Sequence, residues 1–127
     1  MRFMVMLKMQ DGIGPAPAAL NDAMTAEMGR LMGSGVMVDA GGLRGGAEAT
    51  RVRLTNGTVT VTDGPFTEAK ELVGGYAMLQ VATPEEAVKL GTELIQLHKD
   101  YWPGWEGEAE IRQLDEPEVP EGPGATG

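Results

Sequence analysis

Residues 50–66 read TRVRLTNGTVTVTDGPF and carry the strongest local structural signal in the chain. The two runs on either side of Asn56-Gly57 alternate between apolar and polar residues, as half-buried strands do. Asn-Gly is favoured in two-residue hairpin turns, because both turn positions need positive φ. The stretch therefore predicts a β-hairpin over Thr50–Leu54 and Thr58–Thr62, with Asp63 at its exit.

The turn after this hairpin places a carboxylate in an unusual position. A turn Asp commonly accepts a hydrogen bond from the backbone N–H two residues on, but Pro65 has no N–H to offer Asp63. The carboxylate must reach the N–H of Phe66 or Thr67, or face water, a ligand or a distant donor. Either Asp63 caps a helical segment over Thr67–Leu72, or it faces a ligand.

Strand and helix signals continue on both sides of the hairpin. Four further strands are predicted from apolar or alternating runs, over Phe3–Leu7, Gly35–Ala40, Tyr76–Val81 and Ala109–Leu114. Helical periodicity covers Ala18–Met32. A capping box at Thr83-Pro-Glu-Glu starts a second helix that ends near His98. The Met-rich stripe of the first helix suits core packing better than a binding face.

The predicted order is strand, helix, strand, hairpin, strand, helix, strand. It indicates an α+β fold of ferredoxin-like type, with an antiparallel sheet and both helices on one face. The other face is then uncovered, although Phe3–Leu7 and Tyr76–Val81 are apolar on both sides, and such a patch signals association. A two-fold homodimer packed sheet against sheet is the simplest solution.

Composition limits the function classes. The chain has 127 residues, no cysteine and one histidine, which excludes cysteine zinc sites, thiol nucleophiles and multi-histidine metal centres. We predict one domain over residues 1–115, an acidic, mobile Pro/Gly-rich tail over 116–127, and no metal or cofactor. The net charge of −9 disfavours direct nucleic-acid binding, which needs a basic patch. Without a signal peptide or membrane-spanning run, we expect a cytoplasmic protein with no membrane partner.

Six side chains are candidates for a functional site: Asp63, His98 and Tyr76 for catalysis, and Asp39, Phe66 and Trp102 for ligand binding. His98 titrates near neutrality, but its position also suits a cation at a helix C-terminus. Tyr76 either donates a hydrogen bond into a cavity or is a core tyrosine. Trp102 belongs to a Trp-Pro-Gly-Trp cluster that suits an anchor for a loop or dimer rim, or a ligand lid.

The stretch VTDGPFTEAKELVGGY over residues 61–76, with the elements around it, resembles the DGPF-type branch of the YCII-related family. The resemblance spans about residues 1–115. It implies a dimeric α+β barrel with a His-Asp pair in a pocket, and acid–base chemistry on small aromatic or lactone-like molecules in some members. This chain departs from the pattern, since no histidine lies in or near its first helix. Gly41 also stands where many relatives carry Glu, with Asp39 two residues earlier.

Two functions from different classes follow. The first is a homodimeric small-molecule-binding or regulatory module, for which the resemblance implies a link to extracytoplasmic-function sigma factors. The alternative is a small-molecule enzyme with Asp63 as general base, assisted by Tyr76 or His98. The lack of an evident catalytic pair favours the first.

Overall fold

The computed structural model describes residues 1–10, 12–64 and 72–115, with the backbone alone at Leu72. In chain order, its elements are β1 (Arg2–Met9), α1 (Ala18–Gly33), β2 (Met37–Gly42), a 3₁₀ turn (Gly46–Glu48), β3 (Thr50–Thr55), β4 (Thr58–Asp63), β5 (Leu72–Gln80), α2 (Pro84–Tyr101) and β6 (Gly107–Gln113). The α+β class with an antiparallel sheet and two helices is confirmed. Phe66, the tail over residues 116–127 and the predicted helical segment up to residue 71 lie outside the described residues.

The main sheet has four strands in the order β2-β5-β1-β6, and all neighbours are antiparallel. Numbered among themselves, these strands run 2-3-1-4, the order that a ferredoxin-like fold requires. β3 and β4 form a separate two-stranded sheet. The predicted hairpin is therefore present, but it is not a part of the main sheet.

The core lies on one face of the main sheet, under both helices. Phe3 and Val5 of β1 are buried there, and Leu79 of β5 packs beside them. Leu31 of α1 and Ala87 of α2 complete the contact from the helices. Burial of such side chains is the main stabilising contribution to the fold. Neither helix in the described part of the chain combines the length and apolarity that a membrane crossing requires.

The opposite side of the sheet, here called the open face, carries Met4, Met6, Tyr76 and Met78. The strand register pairs Met4 with Met78 and Met6 with Tyr76, so these side chains share one face. All four are half-buried, and none belongs to the core cluster under the helices. The predicted second apolar face thus exists, without a helix of the described chain packed on it.

The hairpin formed by β3 and β4, here called the arm, has an apolar side. Val52 pairs with Val61, and Leu54 pairs with Val59, so the four side chains share a face. Each is between 64% and 71% exposed. The turn has positive φ at both central residues, 52° at Asn56 and 76° at Gly57, which confirms the prediction from the Asn-Gly pair.

The largest boundary difference concerns β5, which begins at Leu72 instead of Tyr76. Glycines are depleted in strands, so Gly74 and Gly75 argued against an earlier start. In the structure a Cβ on Gly74 would lie 2.8 Å from Met9 Cε, and one on Gly75 would lie 3.2 Å from the carbonyl oxygen of Gly41. The two glycines are strand residues because neighbouring groups approach their backbone closely.

Candidate functional site

An open cavity of about 420 Å³, here called the His98 cavity, has walls from β1, α1, β2, β5 and α2. Three of the candidate residues, Tyr76, His98 and Trp102, line it, although the side chain of Tyr76 projects from β5 to the open face. Most of the other lining residues are aliphatic or glycine, and none is a Lys, Arg, Asp or Glu. The fold therefore gathers residues from distant parts of the sequence around an uncharged space.

His98 is the buried polar residue of this region, with 4% of its surface exposed. Its Nδ1 lies 2.9 Å from the carbonyl oxygen of Leu94, one turn earlier in α2. A carbonyl only accepts, so Nδ1 carries the proton and Nε2 is the acceptor nitrogen. The imidazole packs on Trp105 with a ring-centroid distance of 4.5 Å.

Burial determines the charge state of this imidazole. It lowers the pKa of His98 below the ordinary value of 6.5, and the hydrogen bond with Leu94 opposes this effect only in part. His98 is therefore neutral at neutral pH. His98 does lie in the last turn of α2, but its ring is buried and neutral, so the interpretation as a cation at the helix C-terminus is not supported.

Tyr76 and Asp39 form a second polar feature. The Tyr76 hydroxyl donates a hydrogen bond to Oδ2 of Asp39 at 3.2 Å. The tyrosine ring lies against Gly41, where a Cβ would be 3.0 Å from Cε1 of Tyr76. The hydrogen bond and the charge of Asp39 raise the pKa of Tyr76, so this hydroxyl stays protonated at neutral pH. The missing side chain at Gly41 thus gives Tyr76 room to reach Asp39.

Asp63 lies elsewhere, at the end of β4 in the arm. Its exposed carboxylate accepts a hydrogen bond of 2.8 Å from the Thr50 hydroxyl, which belongs to the paired residue of β3. A distant donor was one of the alternatives that remained open for Asp63 because Pro65 has no N–H. Asp63 is not a lining residue of the His98 cavity, so the structure places His98 and Trp102 there without Asp63, and Tyr76 with Asp39 on the open face.

Two contributors to the site were missed from the sequence. The Leu94 carbonyl orients His98. The signal available in the sequence was that Leu94 and His98 are four positions apart on a predicted helix, and so lie on the same side of it. Gly41 was noted as a departure from the family pattern, but its contact with Tyr76 depends on the pairing of β2 with β5. Within the described ranges, no group of three or more His, Asp or Glu side chains is placed to hold a metal ion.

Comparison with known families adds to this geometry. A model of the YCII-related domain matches residues 1–94 of the chain. The chain belongs to the YCII-related family. The matched region of this YCII-related protein contains Asp39, Asp63 and Tyr76, and it ends before His98 and Trp102. A search of curated proteins found no match.

Proposed function

We propose that this YCII-related protein, as a member of the DGPF-type branch, is a small-molecule-binding module whose ligand occupies the His98 cavity. The observation that carries the proposal is the cavity itself. Its volume of about 420 Å³ falls in the range of roughly 300–1,000 Å³ that small-molecule sites occupy. Its apolar walls with a few polar residues, among them His98 and Asn21, are typical of such sites.

The arrangement of polar groups supports binding over catalysis. A general base must lie within hydrogen-bonding reach of the proton that it removes. Asp63, the carboxylate predicted for that role, lies on the arm with Thr50 as its partner. The groups at the cavity instead accept or donate hydrogen bonds without carrying charge, which suits orientation of a ligand.

Thermal-shift screening of a metabolite panel tests the proposal when a cavity-filling variant is included. Ala40 lines the cavity and packs beside the core, so Ala40→Leu reduces the space for a ligand. Ala26→Leu is the matched control, because Ala26 is exposed on α1 and does not line the cavity. We expect ligands that stabilise the wild type and Ala26→Leu to lose their effect on Ala40→Leu. Equal shifts in all three proteins would contradict the proposal.

A second candidate function is acid–base catalysis in the same cavity. It is favoured by the neutral Nε2 of His98, which fits a proton acceptor. The test is to follow chemical conversion of each screened ligand by NMR in the wild type, His98→Gln and Asp63→Asn. Loss of turnover in His98→Gln would support His98 as the proton acceptor in this cavity. Loss in Asp63→Asn but not in Thr50→Ala would instead support Asp63 as the base. A ligand that binds without chemical change in any sample supports the binding module.

We also propose a homodimer in which a second copy covers the open face and the arm, giving a dimeric α+β barrel. The support is a pair of apolar surfaces on which no helix of the described chain packs, one with Met4, Met6 and Met78 and the other with the four aliphatic residues of the arm. A stable interface buries about 800 Å² on each partner, and joining both surfaces helps to reach that size. Light scattering tests the assembly, and a monomer at micromolar concentration would contradict it.

The sigma-factor link implied by the family resemblance stays a prediction. The net charge of −9 suits a partner with a basic surface. Binding to a purified sigma factor that weakens as salt is added would support it, because salt screens exposed charges.

A further inference from the structure

We infer that the His98 cavity takes a neutral, mainly apolar molecule with a hydroxyl or N–H group, which donates a hydrogen bond to Nε2 of His98. The inference rests on the proposed function, because it names the ligand class of the same cavity. It depends on two observations: the charge of the lining and the tautomer of His98.

The first observation is that the lining carries no ionised side chain. A carboxylate or phosphate on the ligand would leave water without meeting a cation in the cavity, and burial of an unpaired charge is strongly unfavourable. The cavity therefore selects against anions.

The second observation concerns the acceptor nitrogen of His98. Nδ1 is engaged with the Leu94 carbonyl, and Nε2 has no hydrogen-bond partner among the described residues. Within those residues, the fully buried side-chain atom that lacks a partner is Nε1 of Trp105, not Nε2 of His98. Nε2 thus keeps access to open space, and the space that His98 lines is the cavity.

The Tyr76 hydroxyl does not supply a second polar contact, because its side chain lies on the open face and donates to Asp39 there. Nε2 of neutral His98 is therefore an acceptor in the cavity without a donor of its own. A ligand without a donor that fills the cavity leaves Nε2 unpaired, which lowers affinity by about tenfold to a hundredfold.

Three probes on one ring system test the ligand class: 2-naphthol carries a neutral donor, 2-methoxynaphthalene has no donor, and 2-naphthoate is an anion. Calorimetric titration of the wild-type chain at about pH 7.5, where His98 is neutral, measures their affinities. We expect 2-naphthol to bind at least about tenfold more tightly than 2-methoxynaphthalene, with 2-naphthoate the weakest. Equal affinity of the two neutral probes, or tightest binding of 2-naphthoate, would overturn the inference.

Variants assign the preference to His98. His98→Phe keeps a ring against Trp105 but removes the acceptor, so we expect the two neutral probes to become equal in affinity. Tyr76→Phe is the control, and it should keep most of the preference for 2-naphthol over 2-methoxynaphthalene. If circular dichroism shows that His98→Phe does not fold, the order of the three probe affinities for the wild type decides whether the inference holds. A preference that survives in folded His98→Phe would overturn the inference.

Failure of the inference is separable from failure of the proposed function. Probes that bind the wild type and lose affinity in Ala40→Leu, but in the wrong order, contradict the ligand class alone. Binding of no probe, or binding that Ala40→Leu leaves unchanged, contradicts the cavity as a ligand site, and the inference then fails with it.

Discussion

The main sheet and the arm are built from the same kinds of residue but differ in what covers them. Leu79 of β5 is 2% exposed, whereas Leu54 of the arm is 71% exposed. Each of the two leucines belongs to an apolar face of its sheet. The main sheet has two helices on that face, and the arm has none in the described part of the chain. Alternation of apolar and polar residues thus determines which face of a strand is apolar, but that face is buried only where another element packs on it.

This difference also separates the stabilities expected of the two regions. An isolated two-stranded hairpin is at best marginally stable in water, and the arm pairs only with itself among the described strands. The main sheet gains its stability from the core under the helices. The arm therefore has the most to gain from contact with a second copy of the chain.

The largest expected effect contrasts two leucine truncations. Leu79→Ala leaves a cavity in the core and should lower the free energy of unfolding by about 2–5 kcal/mol. Leu54→Ala should lower it by less than about 0.5 kcal/mol when the chain is monomeric, since exposed sites tolerate substitution. Urea denaturation at low protein concentration measures both. Comparable losses would show that the arm is packed within the monomer.

A charge on the apolar side of the arm should weaken the proposed homodimer. We expect Val61→Lys to raise the dimer dissociation constant at least about tenfold, equivalent to roughly 1.4 kcal/mol, because it would bury an unpaired cation. Thr60→Lys is the matched control, since Thr60 is the preceding exposed residue of β4 and faces the other way. Analytical ultracentrifugation measures both constants. Equal effects of the two lysines would place the interface away from this side of the arm.

A change in the hairpin turn should affect the arm alone. Gly57 has a φ of 76°, so Gly57→Ala should cost about 1–2 kcal/mol locally. We expect faster amide exchange over residues 50–63 and an unchanged urea midpoint for the main sheet. Gly29→Ala is the comparison, because a Cβ at that helical site meets nothing within 4 Å, and it should stabilise the chain by up to about 1 kcal/mol. A lower global midpoint in Gly57→Ala would mean that the arm and the main sheet unfold together.

The smallest expected effect is the change in stability of the main sheet and its helices when His98 binds a proton. Burial lowers the pKa of His98 below 6.5, so the unfolded chain binds this proton more tightly than the folded chain. This contribution to stability is complete above about pH 6.5, decreases as pH falls through 6.5, and levels off below the folded pKa. Urea midpoints between about pH 7.5 and 5.5 measure it. The chain has one histidine, so His98→Phe should remove this part of the pH dependence, and an unchanged slope would contradict the assignment.

Local signals predicted local structure well. The Asn56-Gly57 turn has the expected positive φ values, and the Thr83 hydroxyl caps α2 by accepting from the Glu86 N–H at 3.3 Å. Both depend on residues within four positions of each other. The start of β5 could not be found in this way, because the reason for glycine at positions 74 and 75 is contact with β1 and β2.

The sequence by itself determined the α+β class, the two helices, the hairpin and the identity of the side chains able to act at a site. Only the tertiary structure decided which of them meet: Tyr76 joins Asp39 on the open face, His98 lines a cavity under the helices, and Asp63 pairs with Thr50 on the arm. The physical reason is the sequence separation over which each kind of interaction acts. Capping, turns and alternation act over a few residues, whereas Asp39 and Tyr76 are 37 residues apart and meet through the register of β2 on β5.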